Sequence, residues 1–287
     1  MRIRITKAFT RWRTYGPCEA GEILDLPDAD AEILIRNGLA EPLEKPPEGK
    51  PEKAPGKTLY SRLRELAEGN ELVMIVGDGG VGKTRLCLHM ALEHEREEGG
   101  KVLYLDTEGS ASARLIRGLK AYERLADPEM ELAKITERVS RARREEGLTG
   151  LVVDSVGLPG LVRYARLGLR QRGEAQLELA RLLQQCYAFA VERGGLAVVT
   201  NQPVSELAAA EIEGREPRVQ PGEPLPPWGG KAAEFVSKLI LRAEVAKRGE
   251  WRTEGRLLVY KARDLPRDLE VARYVITKEG VKVEWLV

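Results

Sequence analysis

The chain has 287 residues, 43% hydrophobic and 32% charged, enough for one large core or a small one beside a medium one, and too apolar for global disorder. Lys and Arg number 46 against 45 Asp and Glu, a formal net charge of +1, so overall charge advertises no polyanion and any nucleic-acid contact must be a local patch. Three distant cysteines (Cys18, Cys87, Cys186) and two histidines five apart (His89, His94) argue against a disulfide framework and a zinc site.

From the amino terminus, RIRITKAF reads as a strand and GEILDLP as a second short extended piece. DADAEILIRNG reads as a helix opening at Asp28 and stopped by Gly38. Arg11, Trp12, Arg13 and Tyr15 read either as a basic-aromatic nucleic-acid face or as a small core beside solvated arginines. Residues 45–57, KPPEGKPEKAPGK, hold four prolines and six charges and cannot bury anything. They read as a semi-extended linker between a small β-rich module, 1–44, and a large domain, 58–287. The charged start MRIRITKAFTRWR has no apolar signal core, and no run approaches the roughly 20 apolar residues of a membrane span. The expectation is a cytoplasmic protein without a membrane partner.

Beyond residue 70, short apolar runs alternate with helical patterns. ELVMIVG, KVLYLDT, LTGLVVDS and GLAVVTNQ read as buried strands. TRLCLHMALEHEREEG and GEAQLELARLLQQCYAFAVERG read as helices, and helical pieces are expected to fill 111–146. That alternation means βαβ units and a parallel sheet covered on both faces. SKLILRAEVA, RLLVYKAR and ARYVITKEG-VKVEW follow with short connections and should extend the sheet in antiparallel fashion.

Between the first of these strands and its helix lies GDGGVGKTR, Gly77–Arg85, which fits G-x-x-x-x-G-K-[ST] in the strand–helix context that the motif requires. Gly77, Gly79, Gly80 and Gly82, with Asp78 and Val81 between them, let successive N–H groups curl round a phosphate chain. The helix dipole adds to the attraction. The expected ligand is ATP with Mg²⁺. Lys83 would reach the β- and γ-phosphates, Thr84 would ligate the cation, and Arg85 belongs to the same site. Asp154, delivered to the sheet's carboxyl edge by LVVDS, is the second metal contact expected. Asp106 and Glu108 end KVLYLDTEG. They read as a general base for water or as solvated loop acids.

GDGGVGKT, LYLDTEG, LVVDS and VVTNQ, in this order, resemble the RecA/RadA recombinase superfamily, most closely its archaeal RadA and RadB branch, over roughly residues 56–285. The resemblance implies a RecA-like α/β fold and a DNA-stimulated ATPase of recombination or repair, either a recombinase or a paralogue assisting one. Glu108 would activate water, and Gln202, with Asn201 beside it, would sense the γ-phosphate. YKARDLP resembles the K-x-R segment that reaches a neighbour's nucleotide, so Lys261 and Arg263, side by side on one strand face, would act in trans. Self-association as filament, ring or dimer is implied. Single-stranded DNA would be gripped first by SVGLPGLVRYARLGLRQRG, with Arg163, Arg166, Arg170 and Arg172. The second DNA loop departs from that pattern: residues 203–228 carry five glutamates against two arginines. The linker also lacks the aromatic of the family's filament hook. The rivals are a KaiC-like signalling ATPase acting on proteins, and a nucleotide-gated binding module that hardly hydrolyses.

Overall fold

The structure, a computed structural model, describes residues 2–8, 18–26, 28–42, 58–68, 72–125, 131–159, 172–203 and 225–287. Its centre is a nine-stranded sheet. The strands are β4 (Leu72–Val76), β5 (Val102–Asp106), β6 (Ala121–Arg124), β7 (Gly150–Asp154), β8 (Leu196–Asn201), β9 (Leu239–Arg248), β10 (Thr253–Lys261), β11 (Glu270–Ile276) and β12 (Val281–Trp285), in the spatial order β12-β11-β10-β9-β4-β8-β7-β5-β6. The strands from β9 to β6 run parallel, so SKLILRAEVA (β9) joins the parallel set and not the antiparallel extension, while β10, β11 and β12 alternate in direction as the sequence pattern leads one to expect.

Strands β4, β5, β7 and β8 are buried at every position, which is why they read as continuous apolar runs. Side-chain alternation divides β4 between two cores. Val73 and Ile75 pack toward α2 (Leu59–Leu66) and α3 (Lys83–Glu97), while Leu72, Met74 and Val76 pack toward α5 (Leu132–Ala142) and α6 (Arg172–Arg193). Two further elements of the large domain differ from the sequence reading. The stretch 111–146 is not all helix: after the short α4 (Ala113–Ile116) the chain forms β6, pairing Leu103–Asp106 of β5 with Ala121–Arg124. A four-residue edge strand carrying Glu123 and Arg124 has no apolar run to announce it. Arg138 of α5 grips Glu123 with two hydrogen bonds of 2.7 and 2.6 Å. Helix α2 is the other element that the sequence pattern does not announce; Thr58 caps it, accepting from Ser61 N at 3.0 Å.

The amino-terminal residues form a separate three-stranded antiparallel sheet, β2-β1-β3, of β1 (Arg2–Ile5), β2 (Ile23–Asp25) and β3 (Ala40–Pro42), with α1 (Asp28–Arg36) and a small core of Ile3, Ile5, Leu26 and Leu34. Gly38 ends α1 at φ +67°. The helix end meets the edge of the large sheet: Arg36 donates to Leu286 O at 2.8 Å, and Asn37 Oδ1 accepts from Glu270 N at 3.1 Å. The linker 45–57 and the group Arg11, Trp12, Arg13 and Tyr15 lie outside the described residues. Among the described residues no helix is long and apolar enough to cross a membrane.

At the amino-terminal end of the parallel strands, His94 of α3 stacks on Tyr60 of α2, ring centroids 3.7 Å apart, and its Nε2 pairs with Thr149 Oγ1 at 2.8 Å. Burial holds the imidazole's pKa below its ordinary value although Glu98 and Glu95 pull it up. The folded state therefore favours neutral His94, and the unfolded chain takes up the extra proton first. Stability should fall as pH drops through the unfolded histidine's 6.5 or so, by at most about 1.4 kcal/mol per pH unit from this group. Urea unfolding at pH 7.5 and 5.5 should lose less stability in His94→Gln than in wild type. An equal loss in both would remove His94 as the cause.

Candidate functional site

The carboxyl edge of the parallel strands is where an open α/β sheet offers a ligand site. Gly77–Thr84 leaves β4 there and enters α3 through Gly82, at φ +102°. Asp78, Gly79 and Gly80 are exposed, Val81 and Lys83 are buried, and Thr84 and Arg85 are half-buried. The glycines serve two purposes. Nothing stands within 4 Å of where a Gly79 side chain would begin, so that face of the loop is open backbone. A Cβ on Gly77 would meet Ala243 O at 2.7 Å, and one on Gly82 would meet Ile276 Cδ1 at 2.2 Å. These two make room for the chain's own later strands.

Lys83 is only 8% exposed. Its ammonium donates to Gly77 O at 2.6 Å and Asp78 O at 3.0 Å. Burial lowers its pKa, while Glu108, Asp154 and Asp78 work the other way. Thr84 Oγ1 lies 3.5 Å from Ser110 Oγ. Asp154 ends β7, 2% exposed, its Oδ2 accepting from Tyr104 at 2.7 Å and its Oδ1 from Thr200 at 2.5 Å. Two hydroxyl donors fix that carboxylate's orientation and leave it lone pairs. Burial and the neighbouring Asp154 push the Tyr104 phenol pKa well up, so it remains a donor.

The two acids of KVLYLDTEG part company. Asp106 is fully buried; its Oδ1 accepts from Glu108 N at 3.2 Å and Gly109 N at 2.7 Å, and its Oδ2 from Ala111 N at 3.1 Å and Tyr122 at 2.9 Å. It shapes the loop and has no lone pair to spare. Glu108 is half-buried, and Ser155 donates to its Oε1 at 2.5 Å. Asn201 and Gln202 separate in the same way. Asn201 is fully buried, donating to Trp228 O at 3.0 Å and accepting from Gln202 N at 2.8 Å. Gln202 is partly exposed at the same edge.

Lys261 and Arg263 are held by different partners. Lys261 pairs with Ile240, at the start of β9, and so lies at the edge opposite Gly77–Thr84. Its ammonium donates to Glu234 O and to Ser237 O, capping α7 (Gly230–Val236). Arg263 lies beyond the end of β10, so strand alternation does not apply to it, and it pairs with Glu68 at 2.9 Å. Of the four arginines expected to meet DNA, Arg163, Arg166 and Arg170 lie outside the described residues, as does most of the acidic second loop, and Arg172 is the first residue of α6.

Two contributors escape the sequence reading. Arg248, at the far end of β9, donates to Gly80 O at 3.1 Å. Tyr274 of β11 donates to Val81 O at 2.8 Å. Both are remote in sequence, and the strand pattern alone does not register them against the loop.

A magnesium nucleotide fits this edge. The loop presents open backbone at a helix start, a lysine stands behind it, and one hydroxyl and one oriented carboxylate stand beside it. Among the described residues no three His, Cys, Asp or Glu side chains converge to cage a metal on their own. A cation here would draw on Thr84, Asp154 and phosphate oxygens.

The AAA domain family matches residues 43–157. Similar curated proteins include the DNA repair and recombination protein RadB of Methanococcoides burtonii, 26% identical over 75% of this chain and 90% of its own length. RadB of Methanococcus maripaludis is 28% identical over 77% and 97% respectively. That of Thermoplasma acidophilum is 27% identical over 76% and 87%. A solved structure titled as the RadB recombinase matches with a TM-score of 0.55 at 23% identity, covering 76% of this chain and 94% of that one.

The contrast between the acids is testable by stability alone. Asp106→Asn places an amide donor among four donors, and should cost about 1–3 kcal/mol in chemical unfolding. Glu108→Gln should stay within about 0.5 kcal/mol of wild type. The reverse ranking would show that the two carboxylates have been given each other's places.

Proposed function

Because this chain belongs to the RecA/RadA superfamily and is RadB-like, we propose that it is a P-loop ATPase that binds single-stranded DNA and acts in homologous recombination or DNA repair. It would act as a recombinase or as a paralogue assisting one. The observation that carries the reading is the gathering of Lys83, Asp154 and Glu108 at one sheet edge. The two carboxylates are near enough to support the lysine's charge against burial, and Glu108 alone of the β5 acids keeps an accessible carboxylate.

In this reading the loop's N–H groups would hold the phosphates, Lys83 would exchange the Gly77 and Asp78 carbonyls for the β- and γ-phosphates, and Thr84 and Asp154 would hold Mg²⁺. The cation, when bound, neutralises phosphate charge. Glu108, steadied by Ser155, takes the proton of a water attacking the terminal phosphate. Gln202 registers the presence of that phosphate by amide hydrogen bonding. Its backbone also meets the start of the first DNA loop: a Cβ on Gly157 would lie 2.9 Å from Gln202 N. That closeness of loop and sensor supports a DNA-responsive ATPase. Lys261 and Arg263 face the opposite edge, so they would serve only a second copy's nucleotide, in an assembly that first frees them from Glu234, Ser237 and Glu68.

Hydrolysis measured with and without single-stranded DNA tests the proposal. ATP turnover should rise with DNA, and Glu108→Gln should slow it about 10²–10⁴-fold. Replacing Arg166 and Arg170 together with alanine should flatten the log–log salt slope of strand binding by about 1.4, roughly 0.7 for each phosphate that the variant no longer neutralises. Turnover indifferent to DNA, with no strand retained at low salt, would overturn the DNA reading in favour of a protein-directed or nucleotide-gated role.

A further inference from the structure

A backbone loop that turns its N–H groups inward onto an anion must turn its carbonyls outward, and those carbonyls need donors if the shape is to persist. In Gly77–Thr84 the donors come from two sources. Lys83 satisfies Gly77 O and Asp78 O. Strands β9 and β11 satisfy the next pair: Arg248 reaches Gly80 O at 3.1 Å and Tyr274 reaches Val81 O at 2.8 Å. These sources are not equivalent. On the nucleotide reading above, on which this inference rests, Lys83 leaves its carbonyls to meet phosphate, and Arg248 and Tyr274 remain as fixed holders.

The sheet is built to let Tyr274 do this. Strand β9 runs alongside β4, pairs Arg242 with Val76 and continues past it to Arg248, so its end overhangs the loop. Gly255 of β10 stands directly opposite Tyr274 and pairs on its other side with Val245 of β9. A Cβ at Gly255 would come within 2.2 Å of Tyr274 Cζ and 2.3 Å of its hydroxyl oxygen. The missing side chain is a slot through which the ring crosses one strand to reach β9 and the loop, where its hydroxyl also lies 3.3 Å from Glu244 O. Tyr274 is 1% exposed, and Val81 and Ile276 share its core. Burial raises the Tyr274 pKa to about 12, so the phenol keeps its proton over the working range.

We propose that Tyr274, admitted by Gly255 and aided by Arg248, is a positioning residue for the nucleotide site, holding the Gly80–Val81 carbonyls outward so that the loop's N–H groups face the phosphates. A holder of the loop acts on whatever the backbone cradles, which is the part of the phosphate chain common to ADP and ATP. Its loss should weaken both alike and leave the chemical step alone, raising KM without lowering kcat.

Equilibrium titration of the full chain with Mg·ADP and Mg·AMP-PNP tests this in Tyr274→Phe, in Arg248→Ala and in Tyr60→Phe. The last is the control: Tyr60 is another buried tyrosine, bonded to Thr149 O and Leu196 N at the far end of the strands. Tyr274→Phe should raise both dissociation constants by the same factor, about 3- to 10-fold. Arg248→Ala, whose side chain is exposed, should raise both by a smaller common factor. Tyr60→Phe should lower the melting temperature yet leave both affinities at wild type. Unchanged affinity in Tyr274→Phe would overturn the proposal. So would an effect on AMP-PNP alone, or an equal loss in Tyr60→Phe. Wild-type protein that bound neither nucleotide would instead overturn the nucleotide reading, and this inference with it.

Discussion

An ammonium group taken almost out of solvent must be surrounded by acceptors or lose its proton, and the carboxyl edge of this sheet is arranged around that requirement. Lys83 sits where β4 hands the chain to α3, with two loop carbonyls on its Nζ and the negative charges of Glu108, Asp154 and Asp78 opposing the cost of burial. Glu108 follows β5 and Asp154 ends β7, and both meet the β4 loop because parallel strands end together. On the proposed reading the same convergence would supply a place for phosphate, because a triphosphate offers the ammonium better acceptors than the carbonyls it would leave.

Chemically similar side chains at this edge are told apart by how many donors surround them. Asp106 collects four and is fixed. Asp154 collects two hydroxyls and stays oriented with capacity left over. Glu108 has the single bond from Ser155 and keeps contact with solvent. A graded loss of constraint of this kind leads from loop architecture, through the proposed metal contact, to the proposed proton acceptor. Asn201 and Gln202 repeat it: the first ties β8 to the Trp228 turn, and the second stands free of the core.

The parallel half of the sheet was legible because β4, β5, β7 and β8 are buried on both faces and so are written as unbroken apolar runs. Strand β6 was not, since an edge strand ending in Glu123 and Arg124 spends its residues on solvent and on Arg138. The glycine motif identified the loop but only half of its purpose: Gly77 and Gly82 also admit Ala243 and Ile276. Lys261 and Arg263 do not share a strand face because β10 ends before Arg263, and a helix end lies within reach of Lys261. Arg248 and Tyr274 were invisible for a simpler reason. Tyr274 lies two hairpins away from β9, with one-residue shifts of register between Glu254 and Gly255 and between Leu257 and Leu258 on the way, and Arg248 reaches the loop only because β9 runs on past the end of β4.

The account turns on Lys83, and one binding measurement tests it most directly. Lys83→Met keeps the apolar stem and removes the charge, so the variant should fold with a melting temperature at or above wild type. Wild-type protein should bind Mg·ATP in an equilibrium titration, and the variant should show no binding at nucleotide concentrations roughly a hundredfold above the wild-type dissociation constant. Wild-type affinity in Lys83→Met would contradict the account, because a phosphate site at this edge cannot be indifferent to the cation buried inside it.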